Sequence, residues 1–134
     1  MGQVHKFLHP RGWKPAKGFS NGVVAEGRMI FLAGQVGWNA EQKFESGDFV
    51  AQARQALTNI VTLVAEAGGQ PKHLTRLTWF VLDKQEYLSH LRELGEVYRD
   101  VMGKHFPAMS LIQVGALVED EARLEIEATA VVPK

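Results

Sequence analysis

Apolar residues recur at spacings of three and four between Phe49 and Ala67. Val50, Ala53, Leu57, Ile60, Val61 and Val64 draw one stripe, the pattern of a helix with a single buried face. Asp48 before it predicts the N-cap, and Gly68-Gly69 predicts the stop. A second stripe of Tyr87, Leu91, Leu94, Tyr98 and Val101 predicts one helix from about Gln85 to Met102, ended by Gly103 and Pro107. Elsewhere the period falls to two. In Arg28 to Gln35, Ile30 and Leu32 alternate with Met29, Phe31 and Ala33. Phe19 to Ala25 precedes that run across Gly27, and two short runs around a glycine predict a β-hairpin. Thr75 to Leu82 predicts a buried strand. Met109 to Gly115 and Ala122 to Val132 predict two closing strands, joined by Glu119-Asp120-Glu121. Residues 1–17 predict an irregular lead-in with a short strand near Val4 to Leu8, and Trp38 to Gly47 a polar loop.

The predicted order is ββαβαββ, a single α+β domain over residues 1–134 with two helices on one face of a mixed sheet. Such a sheet leaves one face uncovered. That face holds apolar groups such as Trp79, Val81 or Phe80, depending on register, and an uncovered apolar face predicts a homo-oligomer.

Composition narrows the partners. Fifteen basic and fifteen acidic side chains cancel, so nothing draws the chain generally to phosphate backbones or anionic lipid, and neither nucleic acid nor membrane is expected. The absence of cysteine excludes disulfides, thiolate metal sites and cysteine nucleophiles, and suits a reducing cytosol. The stretch Met1 to Lys6 lacks the apolar core of a signal peptide, and Lys6 stands where a myristoylation signal wants Ser or Thr. A cytoplasmic protein is expected.

Little in the sequence announces chemistry. His5, His9, His73, His90 and His105 lie in separate segments, and no pair has the helical spacing of a metal site, so they read as surface or structural residues. No phosphate loop and no nucleophile elbow occurs. The last strand offers more. Leu124, Ile126, Ala128 and Ala130 share one face, which leaves Arg123, Glu125, Glu127 and Thr129 on the other. The two carboxylates stand roughly 7 Å apart, at about 3.3 Å per residue. Either both are solvated, or one lies in a subunit cleft where it can shuttle a proton. The pattern leaves both readings open.

Three segments together resemble the RidA family, also called YjgF or L-PSP. Gly27-Arg28-Met29-Ile30-Phe31-Leu32-Ala33-Gly34-Gln35 is close to the family strand that ends in Ser/Thr/Ala-Gly-Gln. Gln52-Ala53-Arg54-Gln55-Ala56-Leu57-Thr58-Asn59 follows its helix pattern Q-x-R-x-x-L-x-N. Phe106-Pro107-Ala108-Met109-Ser110 with Leu124-Glu125-Ile126-Glu127-Ala128 is similar to its closing P-A-R-S and V-E-I-E. The resemblance spans roughly residues 18 to 132. It implies a chorismate-mutase-like fold, a homotrimer with small-molecule clefts between subunits, and cofactor-free hydrolysis of amino-acid-derived imines and enamines. It also implies that Glu125 handles the water, that the Gly34 backbone lines the cleft, and that Ser110 and the adjoining Leu111 flank the substrate.

Departures from the family pattern all point one way. Met109 occupies the arginine position, and a thioether supplies neither charge nor a hydrogen-bond donor. Phe19 stands where a cleft tyrosine is frequent, and Ala33 where Ser or Thr precedes the glycine. A more apolar pocket with a weaker hold on an acid is expected. The alternatives are a trimer that binds a metabolite without turnover and, least favoured at zero net charge, RNA cleavage.

Overall fold

The computed structural model describes residues 4–134; residues 1–3, part of the expected lead-in, lie outside it. Six strands and three helices run in the order β1 (Lys6–Leu8), β2 (Gly22–Val24), β3 (Arg28–Val36), α1 (Phe49–Glu66), β4 (Leu74–Val81), α2 (Lys84–Leu88), α3 (Leu91–Met102), β5 (Ala108–Gln113) and β6 (Leu124–Val132). The main sheet has the order β3-β6-β4-β5. β6 is antiparallel to both of its neighbours, and β4 runs parallel to the edge strand β5. The last strand thus enters the sheet between β3 and β4.

α1 forms where the stripe predicts it. The Asp48 side chain accepts from the Ala51 amide at 2.9 Å, which satisfies one donor that the first turn leaves open. At the other end Gly68 turns left-handed at φ +85°, and the Gly69 amide donates to the Val64 carbonyl at 2.8 Å. Ala53, Leu57, Ile60 and Val64 pack without solvent exposure against Leu74, Leu77, Val81, Leu124 and Ile126. At about 1.5–3 kcal/mol for each large buried side chain, this contact is the main source of stability.

Two local expectations are corrected. The single helix from Gln85 to Met102 is two, broken at Ser89-His90. The Ser89 hydroxyl donates to the Glu86 carbonyl, and the His90 ring lies 2.7 Å from the same oxygen. Side chains that engage a backbone carbonyl compete with the helical ladder. The apolar stripe survives the break, so Tyr87, Leu94 and Tyr98 still face the sheet. The expected hairpin of Phe19–Ala25 with Arg28–Gln35 does not form either. β2 pairs with β1 in a separate two-stranded sheet. Gly27, at φ +147°, lies so close to the Val132 backbone that a Cβ there would collide with it, where β3 begins its pairing with β6.

Register decides which apolar groups stay open. Trp79 and Val81 go under the helices, whereas Phe80 takes the other face, level with Glu125 and Ile112. On that uncovered side Met29, Phe31 and Ile112 are 59%, 73% and 45% exposed. No helix among the described residues is long and apolar enough to cross a membrane.

Candidate functional site

The junction of β3 and β6 brings two of the expected residues together. Register slips between Leu32 and Gln35, which pair with Ala128 and Ile126. Two residues, Ala33 and Gly34, therefore stand opposite one, which is a β-bulge. The Glu125 carboxylate lies over Gly34 so closely that a Cβ would come within 2.7 Å of its carboxyl carbon. Only glycine fits. Glu125 is half-buried, and its carboxylate makes no hydrogen bond or ion pair among the described residues. Glu127, one step along the same face, is exposed.

The helix motif holds this junction in place. Gln52 is buried, and its amide nitrogen donates to the carbonyls of Ser46 and Glu121, both at 3.0 Å. Its oxygen accepts from the Arg123 amide at 2.8 Å. One side chain thus ties α1 to the start of β6, two residues before Glu125. Asn59 ties α1 to the end of β3, donating to the carbonyls of Val36 and Trp38. Gly37 lets the helix approach, since a Cβ there would meet the Gln52 Cα at 2.7 Å. The sequence pattern Q-x-R-x-x-L-x-N therefore serves to position backbone. Its arginine, Arg54, makes an exposed ion pair to Asp100 of α3 at 3.1 Å.

Met109 lies elsewhere. It sits on β5 opposite Leu77, on the helix side of the sheet, and lines an apolar pocket of about 180 Å³ walled by Trp79, Tyr87, Leu94, Tyr98, Phe106 and Pro107, with Lys17 and Gly18 at the lead-in. Leu111 shares that side, half-buried opposite Trp79. Burial pushes both tyrosine hydroxyls up in pKa, and that of Tyr98 donates to the His105 carbonyl. Ser110 points to the opposite, uncovered side, level with Thr78 and Glu127, and is exposed. Phe19 lines a separate shallow depression with Phe7, Leu8 and Pro15. Next to it, Ser20 bridges Ala108 and donates its amide to the Pro107 carbonyl at 3.0 Å.

Apart from Phe19, the predicted residues thus fall into two groups toward opposite edges of the sheet. Gly34 and Ala33 are on β3, with Glu125 beside them on β6; Met109, Ser110 and Leu111 are on β5. Three strand spacings of about 4.8 Å separate the edges. Sequence reasoning passed over Lys17 and the aromatic wall of the Met109 pocket. The helical stripe signalled Tyr87 and Tyr98 as core, and nothing in the pattern singled out Lys17.

Three of the histidines also converge. His5 and His105 place ring nitrogens 3.2 and 2.7 Å from the carbonyls of His73 and Leu74, and all three rings are buried. Burial holds His73 below its usual pKa, helped by Lys72, His5 and His105. It also lowers His105, against the opposing hydrogen bond to Leu74. No group of three or more His, Asp or Glu residues is placed to hold a metal ion among the described residues.

Fold and site define a small α+β protein whose candidate chemistry centres on a carboxylate seated over a bulged edge strand. The family described as Endoribonuclease L-PSP matches residues 11–132. A RutC family protein of Pasteurella multocida is 32% identical over 126 residues, covering 94% of this chain and 97% of its own. The 2-iminobutanoate/2-iminopropanoate deaminase of Escherichia coli is 33% identical over 108 residues, covering 78% and 80%. A solved Rid-family structure from Yersinia pestis, described as of unknown function, superposes with TM-score 0.85 at 32% identity over 96% of this chain and 98% of that one. The chain belongs to the RidA (YjgF, L-PSP) family and has its chorismate-mutase-like α+β fold.

Proposed function

We propose that this protein hydrolyses an imine or enamine metabolite without a cofactor, in the cytoplasm, at clefts between the subunits of a homotrimer. Its substrate range differs from that of arginine-bearing relatives because Met109 takes the arginine's place. The observation that carries the reading is the Glu125 carboxylate seated over Gly34, unpaired and half-buried. A carboxylate so placed can accept a proton from a water molecule that it orients.

In the proposed reaction the water oxygen bonds to the imine carbon. The C=N electron pair moves to nitrogen, and Glu125 accepts the proton lost by the water and passes it to that nitrogen, giving the neutral carbinolamine. The carbinolamine then collapses: Glu125 carries its hydroxyl proton to the amino nitrogen, the C–N bond breaks as the C=O bond forms, and ammonia leaves. Homologues about one-third identical that are named as 2-imino acid deaminases support this chemistry. Assembly from several chains is supported by the separation of the Gly34–Glu125 junction from Met109, on opposite edges of one sheet, and by the exposed Met29, Phe31 and Ile112. The test is ammonia release from a panel of imines and enamines generated in situ. Glu125→Ala is expected to lower the rate about 10²- to 10⁴-fold; equal rates for the two proteins would remove the proposal.

A second reading, a trimer that binds a metabolite unchanged, is favoured by the apolar lining around Met109. Ligands that raise the melting temperature and are recovered intact, together with no ammonia release from any substrate of the panel, would decide for it. RNA is left out of the proposal because the net charge is zero.

A further inference from the structure

We infer that the Met109 pocket takes an aromatic acid with its ring inward and its carboxylate held at the mouth by Lys17. The inference rests on the assignment of Met109 to the ligand site and names the substrate class for that site.

Size comes first. The pocket measures about 180 Å³, and an engineered apolar cavity of roughly 150 Å³ is enough to bind benzene. Its wall is suited to a ring. Trp79 and Tyr87 meet edge to face, at 5.8 Å and 74°, and Tyr98 stacks on Phe106 at 5.3 Å and 15°. A further ring set between these pairs gains edge or offset contacts beyond its area, and the Met109 sulfur adds a polarizable neighbour. The Tyr98 hydroxyl is already engaged with the His105 carbonyl, so inside the pocket only the Tyr87 hydroxyl and the Trp79 indole N–H, each carried on an aromatic ring, are left to meet a ligand.

Charge comes second. Lys17 is the one charged residue of the lining, is exposed, and makes no ion pair or hydrogen bond among the described residues. It stands on the lead-in at the open side, where an ammonium can meet a carboxylate without leaving water. An arginine at position 109 would place the acid inside; Met109 and Lys17 reverse that order. The reversed pose leaves a 2-imino carbon, bonded directly to the carboxylate carbon, at the mouth and open to a neighbouring subunit.

Calorimetric binding to the purified full chain tests this with three probes: phenylpyruvate, pyruvate and the neutral phenylacetone. Phenylpyruvate should bind at least about tenfold more tightly than pyruvate, the effect of burying a ring. It should bind up to about fivefold more tightly than phenylacetone, the upper end for one exposed ion pair. Lys17→Met should remove the second advantage and leave phenylacetone unchanged, and Met109→Arg should turn the preference toward pyruvate. Pyruvate binding as tightly as phenylpyruvate, or an acid-to-neutral ratio untouched by Lys17→Met, would overturn the inference. These readouts do not depend on turnover: a Glu125→Ala protein that releases ammonia at the wild-type rate defeats the proposed function and leaves the binding ratios standing.

Discussion

The Gly34–Glu125 junction and the Met109 pocket lie in one small domain but are built on different principles. The junction is set by close contact and side-chain amides. The Glu125 carboxylate rests against Gly34, and the amides of Gln52 and Asn59 pin both strands to α1 through hydrogen bonds to main-chain groups. The pocket is set by shape, with side chains from a broken helix and an edge strand leaving a space of about 180 Å³ between them. Backbone contact tolerates almost no substitution, whereas an apolar wall tolerates many of similar volume. Reaction chemistry is therefore expected to depend on the junction, and ligand choice on the pocket.

The largest expected effect breaks the junction. Gly34→Ala sets a methyl group against the Glu125 carboxylate and must displace it. A shift of about 1 Å at a catalytic group can cost roughly 10²-fold in rate. Ammonia release should fall by at least that factor, while affinity for a ligand of the Met109 pocket stays within about twofold. An equal loss of both would mean that the two regions are not independent.

Next comes the clamp. Gln52→Leu keeps the volume but leaves the carbonyls of Ser46 and Glu121 and the amide of Arg123 without their partner. These bonds are part-buried, and an orphaned group costs about 1–3 kcal/mol where water cannot replace the bond. A loss of about 2–4 kcal/mol in urea unfolding is expected, and any measured rate should fall with it, because β6 presents Glu125 two residues after the clamp.

The same contrast explains what the sequence pattern disclosed. A helix period, a cap at Asp48 and a glycine stop are local signals, and α1 forms where they lie. Gln52, Asn59 and Gly34 stood out through the resemblance to the family motifs, and Glu125 through that resemblance and its place on one face of the last strand. Pairing across long separations left no such mark. β2 joins β1 and not β3, and two turns look alike in a sequence whether the chain folds back or moves on to another sheet. The break at Ser89-His90 was hidden because the apolar stripe runs on through it. The pocket was hidden for a related reason: Tyr87 and Tyr98 have helical spacing whether they fill a core or line a space.

A change in pH should act on the pocket side. His5 and His73 lie where β1 meets the start of β4. His105 belongs to the loop that leads into Phe106 and Pro107 of the pocket wall. Burial keeps His73 and His105 below the ordinary histidine range of about 6.5. The unfolded chain therefore takes up protons that the folded chain refuses, so stability is full above that pH and declines as pH falls through it toward the lowered values. Lys72 is the nearby cation, and no carboxylate ion-pairs with any of the three rings among the described residues. The melting temperature at about pH 5 should lie below that at about pH 7.5, and His105→Gln should narrow the gap. Hydrogen exchange should locate the loosening in β1 and the segment around residues 103–107, with the amides of α1 protected at both pH values. Exchange that rises first in α1 would contradict this.

The smallest effect is expected where the family motif looks most conspicuous. Arg54 stands in the middle of Q-x-R-x-x-L-x-N, yet it meets Asp100 at 3.1 Å with both side chains about half exposed or more. Two long side chains held in water gain little from their charges, and such pairs contribute about 0.2–1 kcal/mol. Arg54→Ala should therefore shift urea unfolding by about 0.5 kcal/mol, and added salt should erase much of the difference, because an exposed pair is screened. Gln52, two residues earlier in the same motif, should show a several-fold larger loss that salt does not change. Arg54 also lies on the α3 side, away from the two strand ends that Gln52 and Asn59 hold, so its loss should leave the rate at Glu125 unaltered. A salt-insensitive loss of 2 kcal/mol or more at Arg54 would mean that the motif acts as one cooperative unit, and the division between junction and surface would have to be redrawn along α1.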